Sequence, residues 1–407
     1  MLQSKALSVR GAGKGWRQPG SYASAVRLAA AGLIGCLVLA AAIATGSQNA
    51  VAQSKFKNEA RIISQLKLPP GFRINLFAFK LGTARLMALT PDGDIILSSP
   101  PSKILLVRAD RNSDGRSDGV KTLLNKLNAP HGVWLDGEWL YIAEQARIFR
   151  IHYDAKTRTV SGKKEILVSG IPNGGAHWTR TIKKGPDGWF YVTIGSSCNV
   201  CIEKHPWRAA MIRFRPGEKP QLYASGLRNS VGFDWRPATG ELFAVDNGRD
   251  WLGDNFPPGE LNHIVEGGFY GWPFFHGANE PDPKFGKRGR VFKKTARAPV
   301  FGFSAHVAPL SVRFLRNTKS KLLKDAALVA QHGSWNRSSK IGYRLVSMHW
   351  YPDGSIARKP FLTGFEKKGK VIGRPVDIVE APDGTLFVTD DYLGGIWRIV
   401  YEGDAAQ

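Results

Sequence analysis

Six times between residues 87 and 388 the chain repeats one device: an apolar run, a tight turn built on Gly or Asp-Gly, and a second apolar run. Met87-Ala-Leu-Thr-Pro-Asp-Gly93 leads into Asp94-Ile-Ile-Leu97, and Val133-Trp-Leu-Asp-Gly137 into Trp139-Leu-Tyr-Ile142. Ile182–Gly188 leads into Trp189–Val192, Phe233–Gly240 into Glu241–Val245, and Ile378–Gly384 into Thr385–Val388. Val312–Leu315 reaches Ala327–Ala330 through a longer turn. Such turns between strand-forming runs are the mark of antiparallel hairpins. The spacing is roughly 45 to 85 residues, uneven because loops of different length intervene. Units of this size bury their faces only against their neighbours, which predicts an all-β, six-bladed β-propeller. A β-sandwich would also show short strands, but not this recurrence. Lys103–Val107, Ala146–Arg150 and Ile396–Val400 are expected as further outer strands.

Composition agrees with a turn-rich globule: 407 residues, 43% hydrophobic, with 45 Gly and 24 Pro. Residues 1–52 read differently. Lys5, Arg10, Lys14, Arg17 and Arg27 precede a mostly apolar run from Leu28 to Ile43, and Ala50-Val51-Ala52 offers a small-x-small cleavage signal. That is the pattern of a secretory leader, with the propeller over 53–407 and a periplasmic or secreted destination. An uncleaved anchor and a lipidated Cys36 in Leu33-Ile-Gly-Cys36 are the alternatives. Removing the five leader cations lowers the formal charge from +24 to +19. Such a surface is either solubilising or a lure for anions such as a carboxylated cofactor, acidic sugars or a membrane. The basic residues are scattered rather than striped, which argues against nucleic acid. Outside the leader the only cysteines are Cys198 and Cys201. In an exported chain a lone CxxC favours a small-ring disulfide over zinc, which needs two more ligands.

In a propeller the residues just before each innermost strand converge on one mouth. Here they are Arg85, His131, His177, Arg228 with Asn229, His306 and Arg374. Singly, an Arg there pairs with a surface carboxylate and a His caps a turn. Together they form a cationic ring suited to a carboxylated small molecule.

Three further pieces carry a resemblance: Gly226-Leu-Arg-Asn229, Asp246-Asn-Gly-Arg-Asp250, and the Gly- and aromatic-rich loop Asn262-His-Ile-Val-Glu-Gly-Gly-Phe-Tyr-Gly-Trp-Pro273. Gly267, Gly268, Gly271 and Pro273 are expected to keep this last stretch out of regular helix or strand. In order and spacing the pieces resemble the soluble quinoprotein sugar dehydrogenases, in particular their sorbosone dehydrogenase-like branch. These use pyrroloquinoline quinone (PQQ) and Ca²⁺, and the resemblance covers about residues 70 to 401. It implies oxidation of a sugar, alcohol or aldehyde hydrate by hydride transfer to PQQ. His177 matches the family's catalytic histidine, a general base expected to have a near-neutral pKa. Arg228 matches the arginine set against the reducible quinone carbonyl, and Asn229 an adjacent cofactor contact. The backbone carbonyls of Gly248 and Arg249 match the calcium-binding turn. Asn336 and Arg337, in Ala330-Gln-His-Gly-Ser-Trp-Asn-Arg337, match a segment that gives a cationic contact to PQQ. Arg374 matches the first of two cofactor arginines, and the second is replaced by Val376. Electrons would leave to an external acceptor, a cytochrome or quinone, because Cys201 is followed by Ile202 and no CxxCH haem motif exists.

A second calcium candidate is Asp110-Arg-Asn-Ser-Asp-Gly-Arg-Ser-Asp118, with oxygens on Asp110, Asn112, Asp114 and Asp118. Lys121 stands where a calcium loop has its bidentate Glu, so a structural ion and a solvated turn remain open. Two rival functions also stand: a propeller lactonase or other hydrolase, which would need carboxylates around an axial metal, and a non-catalytic receptor for carboxylated glycans or partner proteins.

Overall fold

The computed structural model describes residues 59–403, so the leader reading and Cys36 lie outside the described residues. Among the described residues, no helix is long and apolar enough to cross a membrane.

Each of the six sequence hairpins forms the innermost pair of strands of a four-stranded antiparallel sheet. The first blade comprises Met87–Leu89, Ile95–Ser99, Lys103–Val107 and Val120–Leu124, and the second Gly132–Asp136, Trp139–Ala143, Ile148–Asp154 and Thr159–Val168. The third runs through Arg180–Lys184, Phe190–Ile194, Ala210–Phe214 and Gln221–Ser225. The fourth uses Ser230–Trp235, Leu242–Asp246, Pro258–Ile264 and Phe301–Ala305. The fifth is Pro309–Phe314, Ala326–Gln331, Arg344–Trp350 and Ile356–Leu362. The sixth takes Pro375–Glu380, Leu386–Asp390 and Gly395–Tyr401 from the end of the chain, and its outer strand, Phe72–Phe79, from the beginning. Phe72 pairs with Tyr401 and Phe79 with Gly395, and this seam closes the ring.

The Pro-Asp-Gly turns explain why these hairpins form. In the first, third and sixth blades one arrangement recurs: Gly93, Gly188 and Gly384 have φ near +80° to +88°. Their amides donate to the carbonyls of Thr90, Gly185 and Ala381. Only Gly enters that backbone region without strain, so each turn is set by its own sequence.

Apolar side chains fill the six clefts between neighbouring blades, one cluster to each. Ile96 and Leu106 meet Leu140 and Phe149, and Tyr141 and Ile148 meet Phe190 and Val192. Tyr191 meets Phe233, and Phe243 and Val245 meet Phe314 and Val329. Leu328 and Leu345 meet Val388 and Trp397, and Phe387 and Ile396 meet Ile95 and Leu97. Near the axis two aspartates tie inner strands together. Asp377 accepts from the Met87 amide (2.9 Å) and the Ser311 hydroxyl (3.0 Å), and Asp234 accepts from the Phe314 amide (2.9 Å).

The long spacing between the fourth and fifth hairpins comes from the insertion between Ile264 and Phe301. Here the structure departs from expectation, since Gly268–Phe269 forms a short strand, parallel to Gln221–Ser225, at the edge of the third blade. The Trp272 amide then donates to the Gly226 carbonyl (3.1 Å), and Phe269 lies where a Cβ on Gly226 would sit. The glycine-aromatic loop therefore clamps the segment that delivers Arg228.

Candidate active site

The residues preceding the inner strands separate into two groups. His177, Arg228, Asn229, His306 and Arg374 line one cavity of about 220 Å³, joined by Gly248, Asp250, His332, Gly333 and Trp335. Arg85 and His131 are buried and are not among the residues lining it. They form a polar chain instead: Arg85 donates to Asp391 Oδ2 (2.9 Å) and meets His131 Nε2 at 3.5 Å, and His131 Nδ1 reaches the Arg180 carbonyl (3.2 Å). On the other side of Asp391, His332 Nε2 donates to the carboxylate (2.9 Å) and Arg374 donates to His332 Nδ1 (2.9 Å). Burial and the Arg374 charge hold His332 neutral, its pKa lowered to about 4. Burial alone would raise Asp391, yet the His332 hydrogen bonds and the Arg85 and Arg374 charges bring it down to about 2.

The tautomer of His177 follows from its neighbours. The Ser196 hydroxyl donates to the Cys198 carbonyl (2.7 Å), so its oxygen can only accept from His177 Nδ1 (2.9 Å); the Ser196 carbonyl accepts from the same nitrogen (3.0 Å). The proton is therefore on Nδ1, and Nε2 keeps its lone pair. Burial, then the Arg228 charge, lowers the imidazole pKa to about 3, well below the near-neutral value expected from sequence. The loop that carries His177 is held by two buried arginines. Arg180 donates to the carbonyls of Pro172, His177 and Thr179, and Arg208 to those of Asn173, Gly174 and Gly195.

Gly195 lets this loop approach. A Cβ there would lie 2.5 Å from His177 Cβ and 2.6 Å from Asn229 Oδ1. Gly195→Ala is expected to destabilise the protein by about 1–3 kcal/mol, the usual cost of overpacking. It should also displace His177. A thermal melt and turnover assay matching the parent protein would show that the loop absorbs the methyl group.

Arg228 is clasped from both sides. Its Nε donates to the Asn199 carbonyl (2.9 Å), Nη1 to the Asn247 carbonyl (3.1 Å), and Nη2 to Asn199 Oδ1 (2.8 Å) and Asp250 Oδ2 (3.1 Å). Asn199 lies between Cys198 and Cys201, which are joined as a disulfide. The CxxC loop thus grips the guanidinium directly.

The other sequence candidates take different places. Gly248 lines the cavity, with no room for a Cβ because the Pro258 carbonyl would be 2.7 Å away. The Arg249 side chain turns away to the buried Asp282 (2.5 Å). Arg337 donates to the Asp254 carbonyl and to Asn255 Oδ1 (3.2 Å), and neither Asn336 nor Arg337 is among the cavity-lining residues. Val376 is buried with Val231 and Leu310, an apolar patch beside the cavity. In the Asp110 loop the oxygens accept from the loop's own amides: Asp110 from Asp114 and Gly115, Asn112 from Asp114, Asp114 from Arg116, and Asp118 from Arg111. Sequence reasoning passed over His332, Asn199, Asp250 and Asp391. Of these, His332, Asp250 and Asn199 stood in segments already singled out, and only Asp391 did not.

Beneath the Asn247–Arg249 turn, Asp246 and Glu260 face each other across neighbouring strands. Burial, then the Asp246 charge, pushes Glu260 up to about 8, so it carries a proton at neutral pH. A carboxyl raised this way contributes stability below its unfolded value and loses it as pH climbs through the folded value. Glu260→Gln keeps the neutral shape, and the unpartnered Asn262 Oδ1 can accept from the new amide after a flip. The variant should melt with the parent near pH 4 and above it at pH 8.5. Equal melting at both would show that Glu260 ionises freely.

Residues 66–260 and 282–402 match the TrAA12-like family. The chain belongs to that family. It is 33% identical over 358 residues to an uncharacterised protein of Borreliella burgdorferi, covering 84% of this chain and 92% of that one. It is 24% identical over 406 residues to a PQQ-dependent pyranose dehydrogenase of Coprinopsis cinerea, covering 82% of this chain but only 54% of that protein. Among solved structures, a calcium structure of the Trichoderma reesei Family AA12 enzyme superposes with TM-score 0.71 at 21% identity, covering 83% of this chain and 97% of the other. The holo form of the Coprinopsis cinerea pyranose dehydrogenase PQQ domain gives 0.69 at 22% identity, covering 82% and 96%. Both show the same propeller fold as this TrAA12-like chain.

Proposed function

We propose that this TrAA12-like protein is a PQQ- and Ca²⁺-dependent dehydrogenase that oxidises a sugar, with His177 as general base and an external cytochrome or quinone as electron acceptor. The observation that carries the reading is His177 itself, with Nδ1 anchored, its lone pair on Nε2, and Arg228 and Arg374 lining the same cavity. The donor set fits a carboxylated quinone. The one carboxylate lining the cavity, Asp250, is already paired with Arg228, while Arg374 makes its hydrogen bond to neutral His332. That composition also counts against a lactonase, which needs free carboxylates for a metal.

Arg374 and the spare N–H of Arg228 would hold the cofactor's anionic oxygens, with Asn229 beside them. The carbonyls of Gly248 and Arg249 would present oxygens to Ca²⁺. PQQ, when bound, supplies a two-electron acceptor for hydride. The protein's own contribution is to take the hydroxyl proton at His177 Nε2, so that the substrate carbon can release hydride and become a carbonyl. Arg228, fixed by four hydrogen bonds, is preorganised to meet negative charge without moving. We also place the protein outside the cytoplasm, in the periplasm or medium, a reading that the Cys198–Cys201 disulfide supports.

The test is reconstitution of metal-free protein with PQQ and Ca²⁺, followed by dye reduction over a panel of sugars and aldehydes. PQQ affinity should fall sharply when Ca²⁺ is chelated. Equal affinity with and without the ion would remove the Gly248 and Arg249 assignment. Failure to bind PQQ or to reduce dye with any substrate would favour a non-catalytic receptor.

A further inference from the structure

The inner strands have two ends, and the far end holds a cavity of its own. His177, Asn229 and Ala308 precede the inner strands of the third, fourth and fifth blades and line the active-site cavity. Lys183, Asp234 and Arg313 stand near the other ends of the same strands and line a second cavity, of about 480 Å³. Strands of five or six residues, at roughly 3.3 Å per residue, set the two cavities about 15–20 Å apart. The far cavity is more than twice as large as the first and lies within the ~300–1,000 Å³ usual for small-molecule sites.

Its lining is cationic. Lys183, Lys184, Arg236, Arg313 and Arg316 meet a single carboxylate, Asp234. That carboxylate is already engaged, accepting from both terminal nitrogens of Arg316 (3.0 and 3.1 Å) and from the Phe314 amide (2.9 Å). Lys184 is paired with Asp136 (2.7 Å). Lys183 is different. It is only 8% exposed, and among the described residues its ammonium makes no hydrogen bond or ion pair, only a contact with the Phe233 ring at 5.7 Å. Burial, then the Arg313 charge, lowers its pKa to about 8, and Asp234 and Asp377 offset only part of that. Burying an unpaired charge is costly, and such groups concentrate at binding sites. Arg313 adds free donors beside it. Its Nε donates to the Ile378 carbonyl (3.1 Å), while its two terminal nitrogens make no hydrogen bond among the described residues. Trp134 Nε1, from the second blade, is a further buried donor without a partner.

We propose that this far axial cavity binds a small, multiply charged oxyanion bearing phosphate or carboxylate groups, held by Lys183 and the fork of Arg313. Five cations against one carboxylate call for more than one negative charge. The guanidinium offers paired N–H groups matched to an oxyanion, and the ammonium a point charge beside them. Lys183 lies too deep for a flat protein or membrane surface to touch, which selects a small ligand. The walls come from the second to fifth blades, so a bound anion would tie four blades together at the axis. None of this depends on the dehydrogenase reading.

The experiment titrates pyrophosphate and, separately, citrate into the full chain by calorimetry at about 0.15 M salt, where diffuse attraction to a basic protein is screened. One anion per chain should bind, with a melting temperature that rises with its concentration. The tighter of the two shows whether phosphate or carboxylate is the natural group. Lys183→Met and Arg313→Gln should each weaken binding about 10- to 100-fold, the value of one charged hydrogen bond. Arg374→Gln, at the active-site cavity, and Lys359→Ala, on the open surface, should leave it unchanged. Without ligand, Lys183→Met should melt at or above the parent, because an apolar chain of similar length replaces an unpaired charge. A lower melt with unchanged anion affinity would show that Lys183 serves only the fold. Three further results overturn the site: no saturable binding of either anion, equal weakening by Arg313→Gln and Lys359→Ala, or weakening by Arg374→Gln but not by Arg313→Gln.

Discussion

His177→Gln is expected to lower turnover by about 10²–10⁴-fold, the usual contribution of a positioned general base. PQQ should still titrate onto the variant, because Arg228 and Arg374, not the imidazole, face its anionic groups. Gln can keep the contact with Ser196 but offers no lone pair basic enough to take a proton. The pH profile supplies a second check. Burial and the Arg228 charge hold the parent imidazole near pKa 3, so its base form persists through mildly acidic pH. Turnover should therefore show no histidine limb between pH 5 and 7, and an inflection there that disappears in His177→Gln would contradict the geometry. Stability runs the other way. The unfolded chain takes up a proton near pH 6.5 and the folded one only near 3, so stability is lost as pH falls through that window, by at most about 1.4 kcal/mol per pH unit for one group.

Arg228→Lys should be nearly as damaging, for a different reason. Lysine keeps the charge but cannot reach Asn199, Asn247 and Asp250 together, since its three donors spread from one nitrogen. Losing most of four hydrogen bonds at a buried cation should cost about 2–4 kcal/mol. The 199 and 247–250 loops should then loosen, visible as faster proteolysis near Asn199. PQQ affinity and kcat should both fall, in contrast to His177→Gln, where only kcat falls. Parent-like kinetics and proteolysis in Arg228→Lys would show that the fork geometry is irrelevant.

The contrast between legible and hidden features has a physical basis. The six hairpins could be read because each is local: Gly93, Gly188 and Gly384 set their turns within a few residues. His177, Arg228 and Arg374 could be placed because the fold brings the heads of all inner strands together. Asn199 and Asp250 were not legible, because they reach Arg228 through loops whose path depends on the disulfide and on the Pro257–Pro258 wall. The depressed pKa of His177 was also hidden, since it arises from burial and a charge brought from another blade. Nor did the hydrophobic pattern reveal that Phe72–Phe79 belongs to the last blade. A strand's pattern shows which face is buried, not which partner it meets.

That last pairing has a consequence for how the molecule comes into being. Five blades draw their four antiparallel strands each from one continuous stretch of chain, whereas the sixth cannot form until Phe72–Phe79 meets Gly395–Tyr401. Contacts so distant in sequence are slow to form, because the entropy of bringing the ends together is lost before any pairing is gained. Until that pairing forms, the chain holds five sheets and an open flank. Arg85 of the first blade reaches Asp391 of the sixth, the carboxylate that also accepts from His332, only once the ring is closed. Catalytic competence and ring closure would then be a single event, and an unfinished molecule would have no site at which to misreact.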